Sequence, residues 1–179
     1  GALAFVALTD GKLLALDLGK REGAVVWRQE KLSPRAAPLY SQLGQSVLVT
    51  EGEGLRSFGA ADGAPLATLQ PQVGPLLGAA LSDERLYVLG QGGHLATLRA
   101  YDGQLLLRGT RVAKSPSGGP VVVAEDVLVV DGEGEVVQLT SSARARPSKM
   151  SLGGPVTAPL VVSDGRVVAI VGNDVLLVE

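Results

Sequence analysis

A stretch of turn residues and short apolar runs, from Thr9 to Trp27, recurs along the chain. Asp10 and Gly11 precede an apolar run, Leu13 to Leu16, which is followed by a polar turn and a second apolar run. An Asp-Gly pair between apolar runs is a strong signal for a tight β-turn. The unit is therefore predicted to be part of an antiparallel β-meander.

The last apolar residue of the first run has counterparts at a nearly constant spacing: Leu16, Phe58, Leu98, Leu139 and Val178. By subtraction, successive positions are 42, 40, 41 and 39 residues apart. A period near 40 residues, with several short strands per unit and no helical spacing, is typical of propeller blades. The sequence predicts an all-β fold, a β-propeller of four-stranded antiparallel blades.

Strands are named A to D from the innermost to the outermost strand of a blade. The single domain, residues 1–179, is predicted to contain a partial blade at 1–29 (B, C and D), full blades at about 36–69, 74–108 and 118–152, and a partial blade at 156–179 (A, B and C). Open sheet edges invite association. We expect this chain to form four to five blades of a larger propeller, which further sequence or a second copy completes. The alternative is that the two ends of this chain pair and close a small ring of four or five blades.

Proline marks the innermost strand of each unit. A small residue, a proline and an aliphatic residue recur at Ala37-Pro38-Leu39, Gly74-Pro75-Leu76, Gly119-Pro120-Val121 and Ala158-Pro159-Leu160. Proline cannot donate to a β-ladder, which favours an edge strand. Strand A of the second blade is predicted at 36–40. In the first blade, the run 2–8 is almost wholly apolar, and it is predicted to be a strand buried on both faces.

Composition excludes several classes of function. The net charge is −2 and the chain has no basic stripe, which argues against nucleic-acid binding. The absence of Cys removes disulfides and thiol chemistry. No apolar run is long enough to predict a transmembrane segment, and no signal region begins the chain. We expect any export signal or lipid anchor to be removed or to lie outside this sequence.

The opening unit resembles the pyrroloquinoline-quinone-like propeller repeat. The matching residues are Asp10, Gly11, Ala15, Leu16, Asp17, Gly23 and Trp27. This family includes quinoprotein dehydrogenases and cofactor-free scaffolds, among them the lipoprotein of the outer-membrane β-barrel assembly machine. The resemblance implies a periplasmic or other extracytoplasmic location in a bacterial envelope, with protein partners in an assembly complex.

The dehydrogenase branch is the alternative function, either as a fragment of a quinoprotein or as a ligand-sensing propeller. Its members enclose the quinone with a stacked Trp, metal ligands and often a Cys pair. This chain has no Cys, and its one Trp is assigned to an outer strand, where packing between blades is the favoured role. We therefore expect no enzyme activity and no cofactor.

Other candidate sites are better explained by turn chemistry. His94 is the one histidine and occupies a B–C turn position, which excludes a Ser-His-Asp or multi-His site. Glu51, Glu53, Asp131, Glu133 and Glu135 lie in B–C turns without calcium-loop spacing. The neighbouring Gly-X-Gly segments precede no helix that could hold a phosphate.

Partner binding is predicted at the end of the propeller where the D–A connections and the B–C turns meet. Charges of both signs are expected on this face: Lys31, Arg35, Glu51, Glu53, Arg111, Lys114, Glu133 and Glu135. Such a mixture suits recognition of a polar protein surface or an added peptide strand. An ordinary solvated rim is the competing interpretation. Arg144, Arg146 and Lys149 are expected on the opposite face.

Overall fold

A computed structural model describes residues 2–20, 24–82, 84–140, 148–156, 158–163 and 165–178, and these ranges contain strands and no helix. The strands are β1 (Leu3–Ala7), β2 (Leu13–Asp17), β3 (Ala24–Gln29), β4 (Leu39–Ser41), β5 (Ser46–Glu51), β6 (Gly54–Gly59), β7 (Pro65–Leu69), β8 (Leu76–Leu81), β9 (Arg85–Gly90), β10 (His94–Arg99), β11 (Leu105–Arg111), β12 (Val121–Val123), β13 (Asp126–Val130), β14 (Glu135–Thr140), β15 (Ser148–Ser151), β16 (Val161–Ser163), β17 (Arg166–Val171) and β18 (Asp174–Val178).

Consecutive strands pair antiparallel into five sheets, which are the blades of a five-blade β-propeller. Blade 1 contains β1–β3, blade 2 contains β4–β7, blade 3 contains β8–β11, blade 4 contains β12–β15 and blade 5 contains β16–β18. The prediction of an all-β propeller is confirmed. Among the described residues, blade 1 has no inner strand and blade 5 has no outer strand, so each of these two sheets has three strands.

Small residues allow the innermost strands to approach one another. Strand β8 contacts both β4 and β12, and β12 contacts β16. Gly78 in β8 lies so close to Gly119 that a Cβ at Gly78 would be 2.8 Å from the Cα of Gly119. The prediction that strand A includes Pro38 is wrong, since β4 begins at Leu39. Pairing starts after Pro38 because proline has no N–H to donate.

Each blade has two apolar faces because side chains alternate along its strands. We call the face turned toward the following blade the leading face, and the one turned toward the preceding blade the trailing face. At the first junction, Leu13 and Trp27 of blade 1 pack against Val49 and Phe58 of blade 2. Similar clusters fill the junctions between blades 2 and 3, 3 and 4, and 4 and 5. The core is thus divided among the junctions.

The trailing face of blade 1 and the leading face of blade 5 are not covered in this way. No hydrophobic cluster of the described residues joins these two blades. The prediction that the run 2–8 is buried on both faces is wrong, because every residue of β1 is only half-buried. Phe5 and Ala7 pack toward blade 2, whereas Ala4 and Val6 point to the uncovered side.

Candidate functional site

The D–A connections rest on the B–C turns at one end of the molecule, which we call the loop face. Its connections are 30–38, 70–75 and 112–120, with the described part of 152–160, and its turns are 8–12, 52–53, 91–93, 131–134 and 172–173. Three connections donate a backbone N–H to a glycine carbonyl of the turn below: Leu32 to Gly11 at 3.0 Å, Val112 to Gly93 at 2.8 Å and Leu152 to Gly134 at 2.9 Å. These contacts fix the height of each loop above its sheet.

Glycine is required under these loops for two reasons. Gly11, Gly93 and Gly134 have positive φ angles of 84°, 77° and 86°, which disfavour residues with a Cβ. A Cβ at any of them would also collide with a carbonyl oxygen of the overlying connection, that of Leu32, Ala113 or Gly154. The connections therefore lie in direct backbone contact with these three turns.

The four basic residues predicted for this face are all exposed: Lys31, Arg35, Arg111 and Lys114. Within the described part of the chain, none of the four has an ion-pair partner. The backbone of Arg35 is fixed, because its N–H donates to the carbonyl of Thr50 at 3.0 Å. Four cations are therefore presented to solvent, three from the connections and one, Arg111, from the end of β11.

The four predicted acidic residues divide into two pairs. Glu51 is half-buried, accepts a hydrogen bond from the N–H of Ser33 at 2.7 Å, and lies 3.5 Å from Arg56. Glu135 pairs with Lys149 at 2.6 Å. Glu53 and Glu133 are exposed and have no ion pair to another described residue. Glu51 and Glu135 thus stabilise the loop face, whereas Glu53 and Glu133 are free to contact another molecule.

Lys149 was predicted on the opposite face, and this prediction is wrong. Its amino group reaches Glu135 of the loop face because Lys149 lies opposite Val137 in the register of β14 and β15. Arg144 and Arg146, predicted beside it, lie outside the described residues, as does Gly23 of the repeat motif.

Asp131 has a structural role that its position in an acidic turn did not reveal. It is buried, and its Oδ1 accepts hydrogen bonds from the N–H groups of Glu133 at 3.1 Å and Glu135 at 2.9 Å. These bonds shape the B–C turn of blade 4. In the part of the chain that the structure describes, no group of three or more His, Asp or Glu residues is placed to hold a metal ion.

Two concavities lie near the ends of the blades. A groove of about 500 Å³ opens on the loop face between blades 1 and 2, with Asp10 and Arg35 in its walls. Asp10 pairs with Lys12, whose hydrogen bond holds the pKa of the Asp10 carboxyl below its ordinary value. A larger cavity of about 940 Å³ lies along the inner strands toward the opposite end, lined mainly by aliphatic residues together with Tyr40 and Glu84. The sequence pattern contained no signal for this second cavity.

Trp27 occupies the position between blades that its strand predicts. It is 8% exposed, and its Nε1 donates to the carbonyl of Ala60 in blade 2 at 2.9 Å. Phe5 flanks its ring at 5.9 Å between centroids, and Phe5 in turn stacks on Tyr40 at 5.6 Å. The prediction that His94 lies in the B–C turn is wrong: His94 is half-buried as the first residue of β10, directly after the turn 91–93.

The blades, their repeat and the loop face define a β-propeller of the pyrroloquinoline-quinone-like class. A family model described as outer membrane protein assembly factor BamB matches residues 1–138. The match extends over more than half of the chain, so the chain belongs to this family. The predicted family resemblance is confirmed. No curated protein matches the sequence.

Solved structures share the fold at low sequence identity. BamB from Moraxella catarrhalis is 20% identical with a TM-score of 0.63, and the match covers 99% of this chain and 66% of that one. The dihydro-heme d1 dehydrogenase NirN in complex with DHE is 15% identical with a TM-score of 0.73, over 99% of this chain and 41% of that one. The computationally designed Ika8 protein is 14% identical with a TM-score of 0.69, and the match covers 98% of this chain and 54% of that one. The chain therefore spans two thirds or less of the length of these three structures.

The likeness to these structures defines the architecture and not the chemistry. One of them is BamB, the protein for which the family model is named, and another is named as a dehydrogenase. The described residues include no helix long and apolar enough to cross a membrane. Function must therefore be argued from the chain's own surface.

Proposed function

We propose that this protein is a non-catalytic scaffold that binds another protein through its loop face. The observation that carries the proposal is a set of six exposed charges without an ion-pair partner in the described part of the chain: Lys31, Arg35, Glu53, Arg111, Lys114 and Glu133. All six lie on loops or turns at one end of the blades, or at the last residue of an outer strand.

The backbone anchoring of this face favours recognition over simple solvation. Its connections are anchored to the turns by backbone hydrogen bonds, as in the pair Leu32 and Gly11. A surface that is already ordered loses little conformational entropy when it binds. Alternating cations and anions then give specificity for a partner of complementary pattern. The groove beside Asp10 and Arg35 offers a recess for a polar segment of that partner.

Family membership supports the biological setting of the proposal. The family is named for an outer membrane assembly factor. We accordingly place the protein in a bacterial envelope, in the periplasm or on the periplasmic side of a membrane, as part of a complex that assembles outer membrane proteins. The partner is a protein of that complex, and the binding requires no cofactor.

Charge reversal combined with site-specific crosslinking tests the proposal. A photo-crosslinking residue at Lys31, or in a separate protein at Lys114, is expected to capture an envelope protein in the producing cells, and one at Arg108, in the middle of β11, is not. The triple change Arg35→Glu, Arg111→Glu and Lys114→Glu should lower the yield of the Lys31 crosslink at least tenfold, because three complementary charges become repulsive.

The control triple has the same change in net charge away from the loop face. Lys20, Arg108 and Arg166 are exposed and become Glu together. The control should retain the crosslink from Lys31. Equal losses in both triples, or capture from Arg108 alone, would place the binding surface elsewhere and refute the loop-face scaffold.

A further inference from the structure

Blades 3 and 4 place different charges at the start of strand C, the end of the strand that borders the loop face. In blade 4 this residue is Glu135, and its carboxylate lies 2.6 Å from the amino group of Lys149 in the outer strand. In blade 3 it is His94, which stands directly opposite Arg111, the last residue of β11. Blade 3 therefore has two basic side chains where blade 4 has an acid and a base.

His94 and Arg111 project from the same side of their sheet. Directly opposed residues of an antiparallel pair have Cβ atoms about 4.5–5.5 Å apart. A Cβ built on Gly109, two residues before Arg111, would lie 3.4 Å from the Cβ of His94 and 2.9 Å from Cγ1 of Val73. Val73 is buried and belongs to the connection 70–75. The two basic groups thus stand beside an apolar side chain, on the side of blade 3 that faces this connection.

This basic pair has no counter-ion of its own. Neither His94 nor Arg111 forms an ion pair with another residue that the structure describes. Arg111 is exposed and His94 is half-buried, so a group from another molecule can reach both. Like charges directly opposite each other across a β-ladder are destabilising. An anion placed between them would supply the missing counter-charge, and the apolar surface of Val73 would strengthen the attraction by excluding water.

A single carboxylate fits this pair better than a broad anionic surface does. A guanidinium can donate two parallel N–H groups to one carboxylate, and an imidazole donates from one ring nitrogen when neutral and from both when protonated. Glu53 and Glu133 are exposed on turns of the same face, and the net charge of the chain is −2. An anionic membrane would be repelled by these charges, whereas one acidic side chain meets the basic pair alone.

We propose that His94 and Arg111 form the subsite of the loop face that binds an Asp or Glu side chain of the partner protein. The inference rests on the proposed function, because it names the chemistry of one contact on the same face. Arg111 holds the carboxylate from the solvent side, and His94 donates to it from the half-buried end of β10. The partner therefore presents an acidic residue to blade 3.

Proton NMR of the untagged protein tests the subsite, because the chain has one histidine and its imidazole Hε1 signal is unambiguous. The probe is the blocked peptide acetyl-Gly-Ser-Glu-Glu-Ser-Gly-amide at low ionic strength, and the matched probe has Gln in place of both Glu. The Glu peptide should move the Hε1 signal saturably, and the Gln peptide should leave it in place. Fluorescence anisotropy of the labelled Glu peptide then gives its dissociation constant.

Arg111→Gln should weaken binding of the Glu peptide at least tenfold, because the charged, bidentate donor is lost. Arg108→Gln replaces another exposed arginine of β11 and should bind the peptide as the wild type does. A signal that stays in place or follows both peptides equally, equal affinities of the two variants, or inorganic phosphate that moves the signal at a lower concentration than the Glu peptide would each overturn the carboxylate subsite. The scaffold proposal is tested separately, since capture at Lys31 and Lys114 does not depend on the peptide titration.

Discussion

The indole ring of Trp27 lies directly over the Cα of Gly63, a residue of the following blade. A Cβ built on Gly63 would be 2.7 Å from Cδ2 and Cε3 of the ring, closer than van der Waals contact permits. Gln29 adds a hydrogen bond from its Nε2 to the carbonyl of Gly63 at 2.9 Å. The Asp-Gly turn of blade 2 is thus docked on the outer strand of blade 1.

Replacing Gly63 by Ala should destabilise the protein by about 2–4 kcal/mol. The residue has a φ of 71°, so a Cβ costs about 1 kcal/mol in backbone strain, and overpacking against Trp27 adds about 1–3 kcal/mol. Gly52→Ala is the matched control, because Gly52 has a φ of 57° and open space around it. It should cost about 1 kcal/mol. Urea unfolding measures both, and equal losses would show that the contact with Trp27 has no energetic weight.

Truncation of Trp27 should weaken the junction between blades 1 and 2. Trp27→Ala removes a buried aromatic side chain, and we expect a loss of about 3–5 kcal/mol. Trp27→Phe keeps part of the packing but leaves the carbonyl of Ala60 without its hydrogen-bond donor. This variant should lose about 1–3 kcal/mol of stability. The neighbouring Val26 is 47% exposed, and Val26→Ala should change stability by less than about 0.5 kcal/mol. A Phe variant as stable as the wild type would contradict this role for the hydrogen bond.

Glu51 is expected to hold the connection between blades 1 and 2 in place. Glu51→Ala removes the acceptor of the Ser33 N–H and should cost about 1 kcal/mol. Amide hydrogen exchange at Ser33 should become faster in this variant. Glu53, two residues away, is exposed. Glu53→Ala should change neither the stability nor the exchange rate of the Ser33 amide. Unaltered exchange at Ser33 in the Glu51 variant would mean that the carboxylate does not anchor the loop.

Asp102 should make stability depend on pH in the acid range. The N–H of Gln104 and the guanidinium of Arg99 hold the pKa of the Asp102 carboxyl below its ordinary value of 3.8. Because the folded pKa is the lower one, this contribution is complete above the ordinary value and is lost as the pH falls through the folded pKa. Asp102→Asn should therefore lower stability at neutral pH, with the difference from wild type shrinking below pH 3.8.

The turn of blade 2 provides the control for Asp102. Asp62 accepts the N–H of Ala64 at 2.9 Å in the same kind of turn, without an ion pair to another described residue. Unfolding curves should show a smaller loss of stability at neutral pH for Asp62→Asn than for Asp102→Asn. A difference between wild type and Asp102→Asn that is constant at all pH values would exclude a charge-based contribution.

Pyrroloquinoline quinone with calcium should leave the fluorescence of Trp27 unchanged. The indole is held between two blades and cannot stack on a ligand without opening that junction. Free tryptophan under the same conditions corrects for absorption by the quinone. Saturable quenching together with alcohol-dependent dye reduction would instead support the dehydrogenase alternative.

Much of the architecture is encoded locally. The period near 40 residues, the Asp-Gly turns and the alternation of apolar residues determined the strands and their order, because each blade is a meander of neighbouring segments. The position of Trp27 between blades also followed from its strand. The sequence placed Lys31, Arg35, Glu53, Lys114 and Glu133 in connections and turns, whereas Glu51, Arg111 and Glu135, predicted there too, are strand-end residues.

The partners of individual side chains were decided by contacts between segments distant in sequence. The turn pattern treats Glu51 and Glu53 alike, yet only Glu51 lies within reach of the Ser33 N–H, because the preceding connection folds back over its turn. The reach of Lys149 to Glu135 depends on the register of β14 and β15. The same holds for burial: β1 is more apolar than β5, yet β1 is half-buried and β5 is buried, because no sheet of the described residues covers the trailing face of β1. The sequence by itself determined which surfaces are apolar, and the tertiary structure decided which of them are covered, since burial depends on the arrangement of whole blades.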